Sequence, residues 1–151
     1  MTAHHHLAQI NIARLLFPID GPELADFVAQ LDPVNALAEQ ADGFVWRLVD
    51  SATEGTVRIY EDDWLIVNMS VWRDPDALEA FTYSPEHIAV LRRRREWFAR
   101  AREAMTALWW VPAGHRPTVE EAERKLTELR AKGPTAEVFT LRETFPAPGQ
   151  V

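Results

Sequence analysis

The sequence contains no cysteine, which excludes disulfides, thiolate metal sites and a cysteine nucleophile. No apolar run approaches the roughly 18 residues that a membrane span requires, and the amino terminus lacks the hydrophobic region of a signal peptide. We therefore expect a cytoplasmic protein that does not bind membranes. Acidic residues outnumber basic ones by 23 to 16, so the chain as a whole lacks the positive charge typical of nucleic-acid-binding proteins.

Recognisable cofactor motifs are also missing. The sequence has neither a phosphate-binding loop nor a dinucleotide-binding fingerprint. Its histidines, at 4–6, 87 and 115, do not have the spacing of metal ligands. The acidic run Glu61–Asp63 lacks the oxygen spacing of a calcium loop. The residues alone therefore predict no metal site and no cofactor.

What the chain does contain is an ordinary core composition with many tryptophans. It has 151 residues, of which 47% are hydrophobic and 6 are Trp. This length suits one domain with a substantial core. We predict a single domain over residues 1–151, with residues 1–6 and 146–151 as tails.

Hydrophobic spacing and turn signals predict a β-α-β-β-α-β order followed by a further helix and strand. The fold class is therefore α+β, a ferredoxin-like antiparallel sheet with helices on one face plus a C-terminal helix and strand. The predicted strands cover 7–16, 44–49, 64–72, 106–111 and 137–143, with a short strand considered at 57–60. Helices are predicted from 20 to 42 with Pro33 as a kink or restart, from 74, from 84 to about 105, and from 118 to 132.

The strand over 64–72 is predicted to be central and covered on both sides. Leu65, Val67, Met69 and Val71 share one face, because strand side chains alternate. The opposite face mixes Asn68 and Ser70 with Trp64, Ile66 and Trp72. Helices on one side leave the other side bare, so a partner subunit packing sheet on sheet is the expected cover.

Several segments match a known pattern: Asn35–Ala38, Gly43–Arg47, Asn68–Trp72, Phe81-x-Tyr83-x-x-x-His87, Arg93–Phe98 and Leu108–Pro117. In these segments the chain resembles a bacterial family named as domain of unknown function 3291. That family looks like a branch of the dimeric α/β-barrel superfamily, whose members include antibiotic-biosynthesis monooxygenases, haem-degrading enzymes, chlorite dismutases, polyketide cyclases and stress-response barrels. The resemblance covers nearly the whole chain and implies a homodimer. It implies a reaction less directly, because this fold hosts many reactions.

His87 is the first candidate for chemistry. An unbroken helix from 84 would place Leu91, Arg94 and Phe98 within about 40° of it, which predicts that His87 and Arg94 point inward together. One interpretation is a helix-start histidine bonded to backbone. The other is a general base or, as the resemblance to haem-using relatives implies, a haem ligand.

Amides form the second candidate group. Asn68 and Ser70, with Gln9 and Asn11 of the first strand, would line one patch if the two strands are neighbours. Such donors can orient a carbonyl or stabilise an enolate. The alternative is a polar interface between two sheets.

Aromatic residues form the third group, as core or as pocket walls. Trp109 and Trp110 are adjacent on a strand and must point to opposite faces. His115 lies in a turn between Pro112 and Pro117, as a lid, an anion contact or a structural cap. The predicted substrate-binding set is Asn11, Trp46, Trp72, Arg94, Phe98, Trp109, Trp110 and His115, with His87, Asn68 and Ser70 as catalytic residues.

The functional expectation is a small homodimeric enzyme acting on a hydrophobic, aromatic or polyketide-like metabolite. Its reaction would be a cofactor-independent oxygenation, cyclisation or isomerisation in secondary metabolism. One alternative is a non-catalytic, dimeric ligand-binding or stress-associated module. Another is a haem-binding protein of the same fold.

Overall fold

The computed structural model of the protein describes residues 4–49 and 57–149. Residues 50–56, which follow the predicted strand at 44–49, lie outside the described residues, as do the outermost residues of the predicted tails. The strands are β1 (His5–Arg14), β2 (Phe44–Arg47), β3 (Leu65–Trp72) and β4 (Thr106–Pro112). The helices are a short 3-10 turn (Pro22–Leu24), α1 (Ala25–Gln40), α2 (Pro75–Thr82), α3 (Pro85–Leu91), α4 (Arg94–Trp97) and α5 (Val119–Lys132).

The four strands form one antiparallel sheet in the order β2-β3-β1-β4. This order confirms the α+β, ferredoxin-like fold predicted from the hydrophobic pattern. β3 and β1 are the two central strands, with Gln9 opposite Ser70 and Asn11 opposite Asn68. Because side chains alternate along a strand, this register assigns every central residue to one of two faces.

One face of the sheet, which we call the α5 face, is apolar except at the two ends of β1, where His6 and Arg14 lie. Its apolar residues are Ala8, Ile10, Ile12, Leu65, Val67, Met69, Val71, Ala107, Trp109 and Val111. These residues pack against Ala122, Leu126 and Leu129, which lie at helical spacing on one side of α5. Leu126 and Ile10 are fully buried. The face therefore forms the main hydrophobic core of the chain.

The opposite face, which we call the amide face, carries helices α1 to α4. Its apolar residues fall into two separate clusters. One joins Leu7, Trp72 and Leu108 to α1 and α2, and the other joins Leu15 to Leu24 and Trp97. Polar side chains of β1 and β3 lie between the two clusters along the sheet.

The expectation that a partner subunit covers the second face is not supported by this packing. The face opposite α1–α4 is covered by α5 of the same chain, together with Ile59, which is 1% exposed. α5 was predicted from its own periodicity, which does not indicate the face of the sheet on which a helix packs. The packing of α5 removes the bare sheet face that a second subunit was expected to cover.

The single helix predicted from 84 to about 105 is wrong. α3 ends at Leu91 and α4 occupies only Arg94–Trp97. Phe98 is extended and pairs with Leu15, while Leu16 N–H donates to the Trp97 carbonyl at 2.9 Å. The chain leaves the helical conformation because its backbone groups bond to the extension of β1 instead.

Smaller differences concern the ends of elements. β2 stops at Arg47, and the segments at 57–60 and 137–143 form isolated bridges instead of strands, such as Leu108 with Phe139. α1 is continuous across Pro33, so the helix does not restart there. His5 and His6 belong to β1 and Ala147 is buried, so the ordered fold reaches into both predicted tails.

Two local features fix α2 against the sheet. Asp74, where the helix was predicted to start, caps it by accepting a hydrogen bond from Ala77 N–H at 2.9 Å. Gly43 has a φ of +85°, and a side chain there would collide with Ala77. Glycine tolerates the positive φ and has no Cβ to collide with Ala77, so the turn before β2 can lie directly against α2. No helix within the described ranges is long and apolar enough to span a bilayer.

Candidate functional site

Four polar side chains of β1 and β3 form a patch at the centre of the amide face. We call this group, Gln9, Asn11, Asn68 and Ser70, the amide patch. Gln9 Nε2 donates to Asn68 Oδ1 and to Ser70 Oγ, both at 2.8 Å. Gln9 and Ser70 are buried, whereas Asn11 and Asn68 are exposed. The amide patch therefore consists of two buried, hydrogen-bonded side chains and two amides that are open to solvent.

An indole extends the amide patch on one side. Trp72, which is 1% exposed, donates from Nε1 to Ser70 Oγ at 2.8 Å. Ser70 Oγ thus accepts two hydrogen bonds, from Trp72 and Gln9, and its own proton points to neither. A hydroxyl held in this way can donate to a ligand oxygen. Buried polar networks of this kind are fixed in position by their partners.

Aromatic and aliphatic residues bound the amide patch at both ends. Trp72 packs on Phe81 and Phe44, with ring centroids 5.4 and 5.5 Å apart. At the other end Trp97 and Phe98 pack on Phe27, at 5.3 and 5.0 Å. Polar groups between apolar walls are the usual composition of a small-molecule site.

His87 lies at the Trp72 end, on the first turn of α3. Its Nδ1 is 2.9 Å from the Thr82 carbonyl. Because a carbonyl only accepts, Nδ1 carries the proton, and Nε2 of the neutral ring is left with a lone pair. The ring packs on Phe81 at 5.1 Å, and Phe81 in turn stacks on Trp72. The Phe81 ring therefore lies between the His87 imidazole and Trp72, the indole that borders the amide patch.

The packing of His87 also bears on haem. Phe81 packs against the imidazole on one side and against Trp72 on the other. Because Nδ1 bonds the Thr82 carbonyl, Nε2 is the ring nitrogen that could hold a haem iron. Among the described residues, no three His, Asp or Glu side chains come together as a metal site.

Arg94 is not directed inward, contrary to the prediction. It is exposed, because the break after Leu91 changes the direction of the chain. The arginine held against the fold is Arg93, whose guanidinium lies 4.9 Å from the Trp97 ring. It also bonds Asp26 and Glu96 at 2.8 to 2.9 Å. These bonds raise the pKa of Arg93 further above its ordinary range, so the residue is a permanent cation.

The predicted tryptophan walls divide between the two faces of the sheet. Trp72 and Trp110 lie on the amide face, whereas Trp46 and Trp109 lie on the α5 face. Trp110 Nε1 donates to the Phe145 carbonyl at 2.8 Å, so the C-terminal segment covers it. These four tryptophans were grouped by residue type in the predicted substrate-binding set. The register shows that they cannot line one pocket.

His115 belongs to a separate cluster that the sequence reasoning missed. Its Nε2 bonds Glu121 Oε1 at 2.7 Å, and Trp109 Nε1 donates to Glu121 Oε2 at 2.8 Å. Partial burial raises the pKa of Glu121, but the two hydrogen bonds outweigh this effect and hold it below its ordinary 4.5. In the sequence, Thr118 and Glu121 have only the spacing of a capping box. Thr118 does cap Glu121 N–H, but the Glu121 carboxylate fixes the His115 turn and Trp109 instead of reaching back to the cap.

A surface groove of about 310 Å³ lies outside this arrangement, between the end of α1, α2 and the start of α3. Its floor includes Leu37 and Phe81, and Asp76 and Glu86 stand among its walls. None of the residues predicted for catalysis or binding lines it. The groove and the amide patch are therefore two distinct features of the helical side.

Comparison with known proteins agrees with this fold. The family described as domain of unknown function DUF3291 matches residues 6–151. No curated protein matches the sequence. A Caulobacter crescentus structure described as a candidate antibiotic biosynthesis monooxygenase matches with a TM-score of 0.51 and 11% identity, covering 74% of this chain and 92% of that one.

Two further solved structures are similar. A Mycobacterium tuberculosis protein matches with a TM-score of 0.50 and 17% identity, over 75% of this chain and 99% of that one. A cofactor-independent oxygenase from Streptomyces nogalater matches with a TM-score of 0.47 and 18% identity, over 76% and 97% of the two chains. At these identities the likeness concerns the fold.

Proposed function

We propose that the chain, which belongs to the DUF3291 family, is a small homodimeric enzyme acting on a hydrophobic, aromatic or polyketide-like metabolite. The description of the family assigns no activity, so the proposal rests on the chain's own residues. The reaction is a cofactor-independent oxygenation, cyclisation or isomerisation. The observation that supports it is the amide patch, where polar side chains are fixed between aromatic walls but two amides stay open to solvent. The exposed amides keep donors and acceptors that a bound ligand can reach.

In this proposal, the Ser70 hydroxyl and the Asn68 amide donate to a substrate oxygen. They stabilise the negative charge that develops there when a neighbouring carbon loses its proton. Gln9 is a positioning residue, because its Nε2 holds both side chains in place at 2.8 Å. The pre-set geometry means that little reorganisation accompanies the reaction.

His87 takes the proton through Nε2, since its Nδ1 is committed to Thr82. Phe81 separates the imidazole from Trp72, so a substrate that meets both His87 and Asn68 must be extended and flat. Fused aromatic rings meet this requirement and pack well on Phe81. The geometry therefore favours a polycyclic substrate over a small acid.

Anthrone, a tricyclic ketone, is a suitable probe, together with two-ring and four-ring phenolic ketones. Oxygenation would convert the anthrone methylene and one O2 into a second carbonyl and one water, which balances without a cofactor. The measurement is oxygen uptake with product absorbance. We expect His87→Ala to lower turnover by roughly 10² to 10⁴ and Asn68→Ala by about 10² to 10³.

The matched control is Arg124→Ala, an exposed residue on the outer side of α5, which should leave turnover unchanged. Full turnover in both His87→Ala and Asn68→Ala would contradict the assigned roles. A native protein that neither oxidises these ketones nor shows tryptophan quenching by them would contradict the substrate class.

A non-catalytic ligand-binding module is the second candidate. One observation favours it: both hydrogens of the Gln9 amide are already used within the patch, as in a purely structural network. Binding of the same ketones with no conversion, under aerobic conditions, would select this candidate.

A further inference from the structure

Positive charge is concentrated in one stretch of the chain, Arg92–Arg102, which we call the arginine segment. It holds six of the 16 basic residues and one of the 23 acidic residues. The whole chain has a net charge of −7, so the segment is a local basic region on an acidic protein. Such a region attracts anionic partners that the total charge of the chain would repel.

Most of these arginines are available to a partner. The exposed ones are Arg92, Arg94, Arg95, Arg100 and Arg102. Within residues 4–49 and 57–149, none of these five forms an ion pair. Arg93 differs from them, because it bonds Asp26 and Glu96 and lies over the Trp97 ring. Arg93 therefore anchors the segment, whereas the other arginines present their guanidinium groups to solvent.

Backbone hydrogen bonds fix the arginine segment beside one aromatic wall of the amide patch. Trp97 and Phe98, which bound the patch at one end, belong to the segment itself. Leu16 N–H donates to the Trp97 carbonyl and Ala99 N–H donates to the Arg14 carbonyl, both at 2.9 Å. A partner held by the exposed arginines is therefore next to the candidate site.

We propose that the arginine segment docks an acidic carrier protein that holds the metabolite as a thioester. Each exposed guanidinium can donate two parallel hydrogen bonds to a carboxylate of the carrier. The tethered aromatic group then reaches the amide patch past Trp97, and docking neither forms nor breaks a covalent bond. This inference rests on the proposed function and names how its substrate is presented.

A carrier protein suits this surface better than a nucleic acid does. Outside the arginine segment acidic residues predominate, so a long phosphate backbone would be repelled beyond the segment. A compact acidic protein needs only the segment itself. The proposed substrate class favours the same partner, because polyketide chains are assembled as thioesters of an acidic carrier protein.

The test measures binding of a fluorescently labelled acyl carrier protein, loaded with a naphthoyl thioester, by fluorescence anisotropy. We expect saturable binding at about 50 mM salt that weakens about tenfold or more at about 500 mM, because salt screens exposed charges. Arg95→Glu with Arg100→Glu should weaken binding about tenfold or more, since the new carboxylates repel the carrier. Circular dichroism checks that the variant is folded.

The matched control is Arg124→Glu with Arg142→Glu, which reverses two exposed arginines outside the arginine segment. It changes the net charge by the same amount and should bind the carrier as the native protein does. If the first variant fails to fold, Arg95→Gln with Arg100→Gln replaces it and should also weaken binding.

A second comparison tests how the substrate is presented. The loaded carrier should bind about tenfold more tightly than the unloaded carrier, because the tethered ring adds a second contact at high effective concentration. Asn68→Ala should remove this gain and leave binding of the unloaded carrier unchanged. A native protein that binds the carrier but converts no ketone would contradict the proposed reaction and leave the docking surface in place.

Four results would overturn the inference: no binding of the carrier at low salt, equal binding by the native protein and the reversed variant, equal weakening in the control variant, or equal affinity for loaded and unloaded carriers. Tighter binding of a short DNA duplex than of the carrier would also overturn it, in favour of a nucleic acid.

Discussion

The two faces of strand β3 carry four side chains each, but the faces differ in how completely those side chains are buried. On the α5 face all four side chains are apolar and at most 8% exposed. On the amide face Trp72 and Ser70 are buried, but Asn68 is open to solvent. The comparison teaches that one strand can serve as core on one side and as a site on the other. Its contrasts can be tested by substitutions on either face.

The largest expected effect on stability is on the α5 face. Leu126→Ala removes a fully buried side chain from the α5 core. We expect it to lower the free energy of unfolding by about 2 to 5 kcal/mol, measured by urea denaturation. Ketone binding per folded molecule should be unchanged. A loss below about 1 kcal/mol would show that α5 is not the principal cover of the sheet.

The next largest effect on stability is expected at Gln9, the buried donor of the amide patch. Gln9→Ala leaves Ser70 and Asn68 without their shared donor. We expect a loss of about 1 to 3 kcal/mol in the free energy of unfolding, together with a loss of ketone binding. If stability falls while binding stays native, the patch is structural only.

A smaller effect is expected at the His115 cluster, and it depends on pH. The folded-state pKa of Glu121 is lowered, so its contribution is full above the ordinary 4.5 and disappears as pH falls through the folded value. Glu121→Gln should cost about 1 kcal/mol at neutral pH. Below about 4.5, native stability should fall more steeply than that of the variant. Parallel pH profiles of unfolding would contradict the assigned charge.

The smallest effect on stability is expected at Asn68. Because Asn68 is exposed, Asn68→Ala should change the free energy of unfolding by no more than about 0.5 kcal/mol. Comparing the loss of stability in Asn68→Ala with that in Gln9→Ala separates the contribution of the exposed Asn68 from that of the buried Gln9. Thermal unfolding of the variant provides the check, and a loss above about 1 kcal/mol would mean that Asn68 has a mainly structural role.

The parts of the fold that depend on local pattern could be predicted. Alternation along 64–72 and the start of a helix at 74 depend on a few neighbouring residues, and both were confirmed. The adjacency of Gln9 to Ser70 followed once β1 and β3 were neighbours. The two local features could be predicted because neighbouring residues in the chain determine them, whereas the Gln9–Ser70 pairing also required the strand order.

Other features depend on contacts between residues that are distant in the chain, and they could not be predicted from the sequence. Periodicity predicted one helix through Arg92 and Arg93, but Phe98 bonds to Leu15 and the helix ends. Glu121 matched a capping box, yet its partners His115 and Trp109 belong to another segment. No window along the chain contains both groups, so local spacing could not reveal the cluster.

Two indole N–H groups permit the most direct test of the central claim, that the amide face binds a ligand while the α5 face is core. Trp72 Nε1 bonds Ser70 on the amide face, and Trp109 Nε1 bonds Glu121 on the α5 face. Their NMR resonances can be followed as anthrone is added to the native protein. We expect the Trp72 resonance to shift in a saturable way while that of Trp109 stays fixed. A shift of Trp109 alone, or of neither, would contradict the account.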